Sequence, residues 1–331
     1  MTSNYPNPEQ DYTVLVRCFT FNQSKYIEDA LNGFVMQQTT FPFVCLVVDD
    51  ASTDGEQEVI KTWMERECDM ANAKYLDIPT ADIIIVPHKT NLNCTMAVYL
   101  LKENLFKQRE KKMEHVTPWR EHCRYEAMCE GDDYWIDPLK LQKQVNYLEA
   151  HPEVSYSCHR FNVLTQNTGE VTEDWNIFYK NPQNNNVSEF LFDSDYAFSK
   201  GWITLSLTQV VRCSALNSKT DMQFKYYRDV HNIYSILQKG KGVCHSFVGG
   251  VYRINVGSMH GGKSWVEQIR TNYELYKEFY EKTGENFAMQ NMKKMYVKMV
   301  RMHAVGFPKN LFELNCWRIA VISKLKEIWK V

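Results

Sequence analysis

Residues 126–135 read Glu-Ala-Met-Cys-Glu-Gly-Asp-Asp-Tyr-Trp. Glu130, Asp132 and Asp133 bring three carboxylates into four positions, after an apolar stretch and before two aromatics. Like charges so close together raise one another's pKa unless something neutralises them. A hard divalent cation is the natural neutraliser. Mg2+ and Mn2+ take oxygen ligands and keep waters and substrate phosphates beside one or two carboxylates. The cluster therefore predicts a metal site open to a phosphate. A second acidic pair opens the run Asp49-Asp50-Ala51-Ser52-Thr53-Asp54-Gly55. A carboxylate there can accept hydrogen bonds from a nucleobase imide or from ribose hydroxyls. The alternative is a helix cap supplied by Ser52 or Asp54.

The surrounding elements must position these acids. Thr13-Val14-Leu15-Val16 reads as a buried strand running into Arg17-Cys18-Phe19-Thr20. Tyr26, Ile27, Ala30, Leu31, Phe34 and Val35 recur at helical spacing within Lys25 to Gln38. Phe43 to Val48 predicts a second strand and Glu56 to Glu67 a second helix. Ile83 to Val86 predicts a third strand, followed by a polar loop (Lys89 to Asn93) and a helix through about Gln108. Arg124 to Cys129 predicts a fourth strand, ending at the acidic cluster. Leu139 to Leu148 is amphipathic, opened by Asp137-Pro138 and stopped by His151-Pro152. Residues 153–215 mix strand-like pieces with a polar loop, Asn181 to Asn186. Asp221 to Gln238 predicts a helix, Gly240 to Tyr252 a strand, and everything from Trp265 onward helix. Strands alternating with helices predict an α/β, doubly wound, mainly parallel sheet. In such sheets ligands bind outside the carboxyl ends of the strands. Thr20-Phe21-Asn22, Asp49-Asp50, Thr90-Asn91 and the acidic cluster are all expected at such ends.

The chain has 331 residues, enough for one large domain with an appendage. A net charge of −2 offers no global attraction to nucleic acid, and none is expected as a partner. The ten cysteines form no CxxC, and several sit in apolar strand-like runs, so they read as reduced, buried small hydrophobes. Met1 to Gln10 is polar with two prolines and lacks the apolar stretch of a signal peptide, and no apolar run is long enough to span a bilayer. A cytoplasmic protein is the expectation.

Taken in order, these motifs resemble the family 2 glycosyltransferases with the GT-A fold. The matching stretches are Val14 to Asn22 with Lys25-Tyr26-Ile27, Val47 to Gly55, and Glu130 to Trp135. The last continues into Asp137-Pro138-Leu139-Lys140-Leu141 and Leu148 to Val154. Together they cover roughly residues 12–160. The resemblance implies a GT-A catalytic domain over 12–264, after a flexible N-terminus at 1–11 and before a helical C-terminal region at 265–331. Within it, 12–160 would be the nucleotide-sugar half and 161–264 the acceptor half.

The implied activity is inverting transfer of a sugar from a nucleoside diphosphate donor, first a UDP-sugar, to the hydroxyl of a saccharide or lipid-linked acceptor. Mg2+ or Mn2+ is the implied cofactor, and cell-surface polysaccharide synthesis the implied setting. Phe19, Thr20, Asn22, Asp50, Asn91 and Asp132 are the expected donor-binding residues. Asp132, Asp133 and His260 are the expected metal contacts. Glu130 stands where the family often has aspartate, a longer acid of the same charge. Asp229, in Tyr226-Tyr227-Arg228-Asp229-Val230-His231, matches the family's general base, which deprotonates the acceptor hydroxyl. A plain N-terminal helix acid is its alternative reading. Val251-Tyr252-Arg253-Ile254-Asn255 resembles a segment that often carries histidine where this chain has Asn255. His260 and Lys263 follow in a loop that could meet metal and phosphate or simply be solvated.

Trp135 and Trp202 could stack on a sugar or fill the core. Trp202 to Val211 alternates apolar and hydroxyl residues as a strand would. Gly261-Gly262-Lys263-Ser264 lacks the spacing of a phosphate-binding loop. Residues 311–331 are amphipathic and basic, and three readings stand: contact with an anionic membrane surface, packing on the catalytic domain, or pairing in a homodimer. Two rivals to the transferase remain at this level. A sugar nucleotidyltransferase usually carries a glycine-rich basic loop after its first strand, and Arg17 to Asn22 has no glycine. A non-catalytic nucleotide-sugar-binding scaffold would tolerate the loss of Asp229.

Overall fold

The computed structural model describes residues 8, 10–106, 108–173, 187–199, 204–216, 224–225, 228–255, 264–303 and 305–328. Along them run β1 (Tyr12–Thr20), α1 (Ile27–Val35), β2 (Phe43–Asp49), α2 (Glu56–Glu67), β3 (Lys74–Ile78), β4 (Ala81–Pro87) and β5 (Cys94–Leu101). Next come α3 (Arg109–Glu114), α4 (Thr117–Glu121), β6 (Cys123–Met128), β7 (Tyr134–Trp135), α5 (Lys140–Ala150), β8 (Val154–Thr165), β9 (Glu170–Glu173) and β10 (Glu189–Phe192). The chain continues through α6 (Ser194–Ser199), β11 (Val210–Arg212), α7 (Asp229–Leu237), β12 (Lys241–Ile254), α8 (Trp265–Thr283), α9 (Asn286–Arg301) and α10 (Leu311–Ile328). Two compact units emerge. The first joins Met1–Ser194, Trp202–Asn217 and Asn232–Ile254, and the second joins Asp195–Gly201, Ser218–His231 and Asn255–Val331.

The first unit is built on one sheet in the order β10-β12-β8-β11-β6-β1-β2-β5-β4-β3. β1 lies parallel to both β2 and β6, and β2 parallel to β5. These central strands are apolar at nearly every position because both faces are covered. Val14, Val16 and Cys18 of β1, with Cys45 and Val47 of β2, pack toward Leu31 and Phe34 of α1 and Trp63 of α2. Leu15, Val44, Leu46 and Val48 point the other way, toward Val116 and Trp119. The helix α1 forms because Ile27, Ala30, Leu31 and Phe34 make one buried stripe. Its Gly33 lets the backbone approach β7, since a Cβ there would stand 2.9 Å from the Trp135 nitrogen.

The mixed, mostly parallel sheet with flanking helices and a helical C-terminal region matches the expected class. Four local expectations do not hold, the first being the helix expected from Asp221, which among the described residues begins only at Asp229. Residues 94–101, expected to begin a helix, form β5, which pairs with β2 and β4. Their run Cys-Thr-Met-Ala-Val-Tyr-Leu-Leu is buried almost throughout, and a strand covered on both faces shows no alternation to separate it from a buried helix. The strand at Ile83–Val86 exists as β4 but runs antiparallel to β5, in a meander with the unanticipated β3. Within the expected strand Trp202 to Val211, Ser206–Thr208 is a 3-10 turn and only Val210 and Val211 enter β11. Trp202 itself and the loop Asn181 to Asn186 lie outside the described residues.

In the second unit α8, α9 and α10 pack through Ile269, Tyr296, Met299, Val300, Cys316 and Ala320. Ser264 and Glu267 form a capping box at the start of α8, and Gly284, at φ 71°, ends it.

Candidate active site

The chain leaves β1 for β2 and β5 on one side and returns to β6 on the other, so the carboxyl ends of β1 and β6 bracket a topological switch point. The acidic cluster follows β6 there. The Cys129 N–H donates to the Arg17 carbonyl at 3.1 Å and the Gly131 N–H to the Phe19 carbonyl at 3.2 Å, so the loop stays laced to β1. Only glycine fits at 131. A Cβ would stand 2.6 Å from Gln23 Oε1 and 2.7 Å from Thr20 Cβ, and would overlap the Thr20 hydroxyl.

Asp133 is 2% exposed, and its Oδ1 accepts the Arg253 backbone N–H at 2.8 Å. Burial, then the Asp132 charge, pushes its carboxyl well above the usual range, with Glu130 adding to the rise and the Arg253 N–H opposing it. Asp132 is half-buried. The Arg253 side chain ties the loop down: Nε donates to the Asp132 carbonyl at 2.7 Å, and the terminal nitrogens reach Gln166 at 2.5 Å and Asp29 at 2.6 Å. Its guanidinium carbon lies 4.7 Å from the Tyr26 ring centroid and 5.1 Å from that of Tyr134. Asp29 thereby links α1 to β12 across the cluster.

The turns after β1 and β2 carry strain. Asn22 has φ 54° and Ala51 φ 60°, a region that side-chain-bearing residues rarely adopt and that collects at functional sites. The two turns hold each other: Asn22 Oδ1 accepts the Thr53 N–H at 2.7 Å, and the Asn22 N–H donates to the Ser52 hydroxyl at 2.8 Å. Beneath them sits Glu56, fully buried. Its Oε2 accepts from the Gln23 N–H and the Ser52 hydroxyl, each at 2.8 Å, and its Oε1 meets the Thr20 hydroxyl. Burial pushes the Glu56 carboxyl up, against these hydrogen bonds.

Asp49 and Asp50 are both buried. Asp49 Oδ1 accepts from the Ser52 N–H at 3.0 Å and Gln57 Nε2 at 2.6 Å, while its buried Oδ2 has no hydrogen-bond partner among the described residues. Asp50 has both oxygens engaged, Oδ1 by the Leu105 N–H at 2.6 Å and Oδ2 by Lys112 Nζ at 2.5 Å. Lys112 Nζ also lies 5.1 Å from the Phe19 ring centroid, and the Arg17 guanidinium 4.6 Å from it. Two cations thus flank Phe19.

Of the expected donor-binding residues, the structure brings Phe19, Thr20, Asn22, Asp50 and Asp132 to one edge of the sheet. Asn91 is not among them. Because β4 is antiparallel to β5, its carboxyl end points to the opposite edge, and Asn91 sits beside the start of β5. There its Nδ2 donates to the Val35 and Gln37 carbonyls at 2.8 Å each, bracing the end of α1. Trp135 is core, donating to the Leu207 carbonyl at 2.8 Å, with Lys140 Nζ 4.2 Å from its ring centroid, so it offers no face to a sugar. Asp229 is exposed at the first position of α7. His260 and Lys263 fall outside the described residues.

Three residues were missed at the sequence level. Glu56 stood only as the first residue of an expected helix, and Lys112 carried no local signal. Arg253 had one: a lone cation in the apolar strand Val251 to Ile254. Among the described residues no group of three or more His, Cys, Asp or Glu converges to hold a metal by itself. Two carboxylates beside a bound diphosphate are nonetheless a set that Mg2+ or Mn2+ accepts, and the buried, charge-crowded Asp133 fits such a cation.

No protein-family model matches the chain. It is 32% identical over 154 residues to an uncharacterized protein of Mycobacterium tuberculosis (strain H37Rv), covering 46% of this chain and 36% of that protein. An uncharacterized protein of Mycobacterium bovis matches to the same extent. The chain therefore spans about a third of the length of the curated relatives it matches. Among solved structures it superposes on Staphylococcus aureus TarS residues 1–349 in complex with UDP. There the TM-score is 0.53 at 15% identity, over 92% of this chain and 78% of that one. The same TarS fragment in complex with UDP-GlcNAc gives a TM-score of 0.54, again at 15% identity, over 93% of this chain and 79% of that one. The fold is of the GT-A-like type.

Proposed function

We propose that this chain is a glycosyltransferase that moves a sugar from a nucleoside diphosphate donor to an acceptor hydroxyl with inversion. The observation that carries it is the acidic loop Glu130–Asp133, laced to β1 at the switch point and clamped by Arg253. Uridine is the first donor nucleoside on the strength of the TarS fold, whose solved complexes hold UDP and UDP-GlcNAc. Phe19, Thr20 and Asn22 line the base and ribose side. Asp50 acts through Lys112, which it holds beside Phe19, rather than by direct contact with the base.

Asp132 and Asp133 would hold Mg2+ or Mn2+, which when bound offsets the negative charge that grows on the departing diphosphate. Arg253 keeps the two acids in register by fixing the Asp132 carbonyl and the Asp133 carboxylate together. By the resemblance of its segment to the family's base, Asp229 would take the proton from the acceptor hydroxyl as that oxygen attacks the anomeric carbon.

The test mixes the full chain with UDP-sugars, Mn2+ and a saccharide acceptor panel and follows UDP release. Asp132→Asn is expected to abolish metal-dependent UDP binding measured by calorimetry. Asp229→Asn is expected to keep that binding and lose about 10²–10⁴-fold in turnover. Metal-dependent UDP binding that survives Asp132→Asn would refute the clamp, and wild-type turnover in Asp229→Asn would remove the base.

A further inference from the structure

The last helices of the second unit carry a charge that the rest of the chain does not share. Residues 286–331 hold nine Lys and Arg against two Glu, a net +7, although the whole chain is −2. The same stretch exposes apolar surface. Along α10 the stripe Leu311, Leu314, Arg318 and Ile322, spaced three and four apart, faces solvent, while Cys316 and Ala320 on the other side pack into the unit. Leu311 is 73% exposed, and just before the helix Phe307, 86% exposed, stacks on Trp317 at 5.8 Å. A helix that buries one apolar face and shows another has a second partner to meet. Among the described residues no helix is long and apolar enough to cross a membrane, so this one does not insert across it.

We infer that α10 and its basic surroundings dock the protein on an anionic lipid surface. Charge decides between this and a second copy of the chain. Two copies of a segment that carries +7 repel, and Arg318, in the middle of the apolar stripe, would be buried in such a contact at a high cost. On a bilayer the same arginine reaches a headgroup phosphate while its stem and the neighbouring leucines enter the acyl boundary. Of those nine cations, Lys294, Lys298 and Arg301 are exposed on α9, within the same unit. The inference stands on these residues alone and does not depend on the transferase reading.

The test is co-sedimentation of the full chain with phosphatidylcholine vesicles and with vesicles in which about one third of the lipid is phosphatidylglycerol. Binding to the anionic vesicles is expected to be at least about tenfold tighter, and to weaken several-fold when salt is raised from about 0.1 to 0.5 M. The double variant Leu311→Asn, Ile322→Asn touches only exposed positions and should keep the wild-type melting temperature while losing at least about fivefold in vesicle affinity. Arg318→Glu should weaken binding to anionic vesicles alone. Equal binding to both vesicle types, no binding to either, or a dimer in light scattering that the double variant dissolves would each overturn the inference.

Discussion

Replacing Arg253 with alanine should damage both stability and the acidic loop, and its size can be worked from the contacts. The guanidinium is 5% exposed and donates to the Asp132 carbonyl, Gln166 and Asp29. Hydrogen bonds from a charged donor contribute about 1.5–3 kcal/mol each when buried. The Asp29 side chain is 53% exposed, so water takes it back and its share is under about 1 kcal/mol. The flanking Tyr26 and Tyr134 rings add about 0.5–1 kcal/mol. Because such terms do not add fully, the expected loss is about 3–4 kcal/mol, or roughly a 10 °C fall in melting temperature. Arg253→Lys keeps the charge without the fork and should recover less than half of it. The Arg253 N–H still reaches Asp133 in either variant, so the functional loss should fall on Asp132 and appear as weaker UDP binding in the presence of Mn2+. Urea titration followed by tryptophan fluorescence gives the stability and calorimetry the binding. A loss below about 1 kcal/mol in Arg253→Ala, or Asp29→Asn costing as much as Arg253→Ala, would refute the reasoning.

Gly131→Ala should destabilise by about 1–3 kcal/mol and move the acidic loop off β1, read as a lower melting temperature together with weakened UDP binding. A neutral result would show that the loop has room the structure denies it. Acid sensitivity should trace in part to His245, 5% exposed, which burial pushes down to about 4. Above pH 6.5 neither state is protonated there. Between 6.5 and 4 only the unfolded chain takes up the proton, so stability present at neutral pH is lost as the pH falls through that window, by about 3 kcal/mol in all. His245→Gln, still able to meet the Ser157 hydroxyl, should flatten that part of the curve in urea titrations at pH 7.5 and 4.5, and an unchanged slope would place the sensitivity elsewhere.

Much of the candidate site was legible because its parts are local. Three carboxylates in four positions need no fold to be noticed, and the buried runs of β1 and β2 with the 3.6-residue stripe of α1 place Thr20, Asp49 and Asp50 at strand ends. Pairing direction, by contrast, is written nowhere in a single strand. Asn91 followed an apolar strand just as Asn22 does, yet β4 runs against β5, and that inversion sends Asn91 to the far edge of the sheet. The helix expected after residue 93 failed for a related reason, since full burial erases the periodicity that distinguishes β5 from a helix.

The sequence by itself determined the presence of an acidic loop behind a buried strand, the chemistry proposed for this protein, and the α/β class that would carry it. Only the tertiary structure decided which groups hold that chemistry in place. Asp50 meets Lys112 across 62 residues and Arg253 meets Asp29 across 224, and Glu56 comes to lie under Thr20 from the start of α2. Such partners are chosen by where the sheet brings strand ends together, because an ion pair or hydrogen bond depends on distance in space and not on separation along the chain.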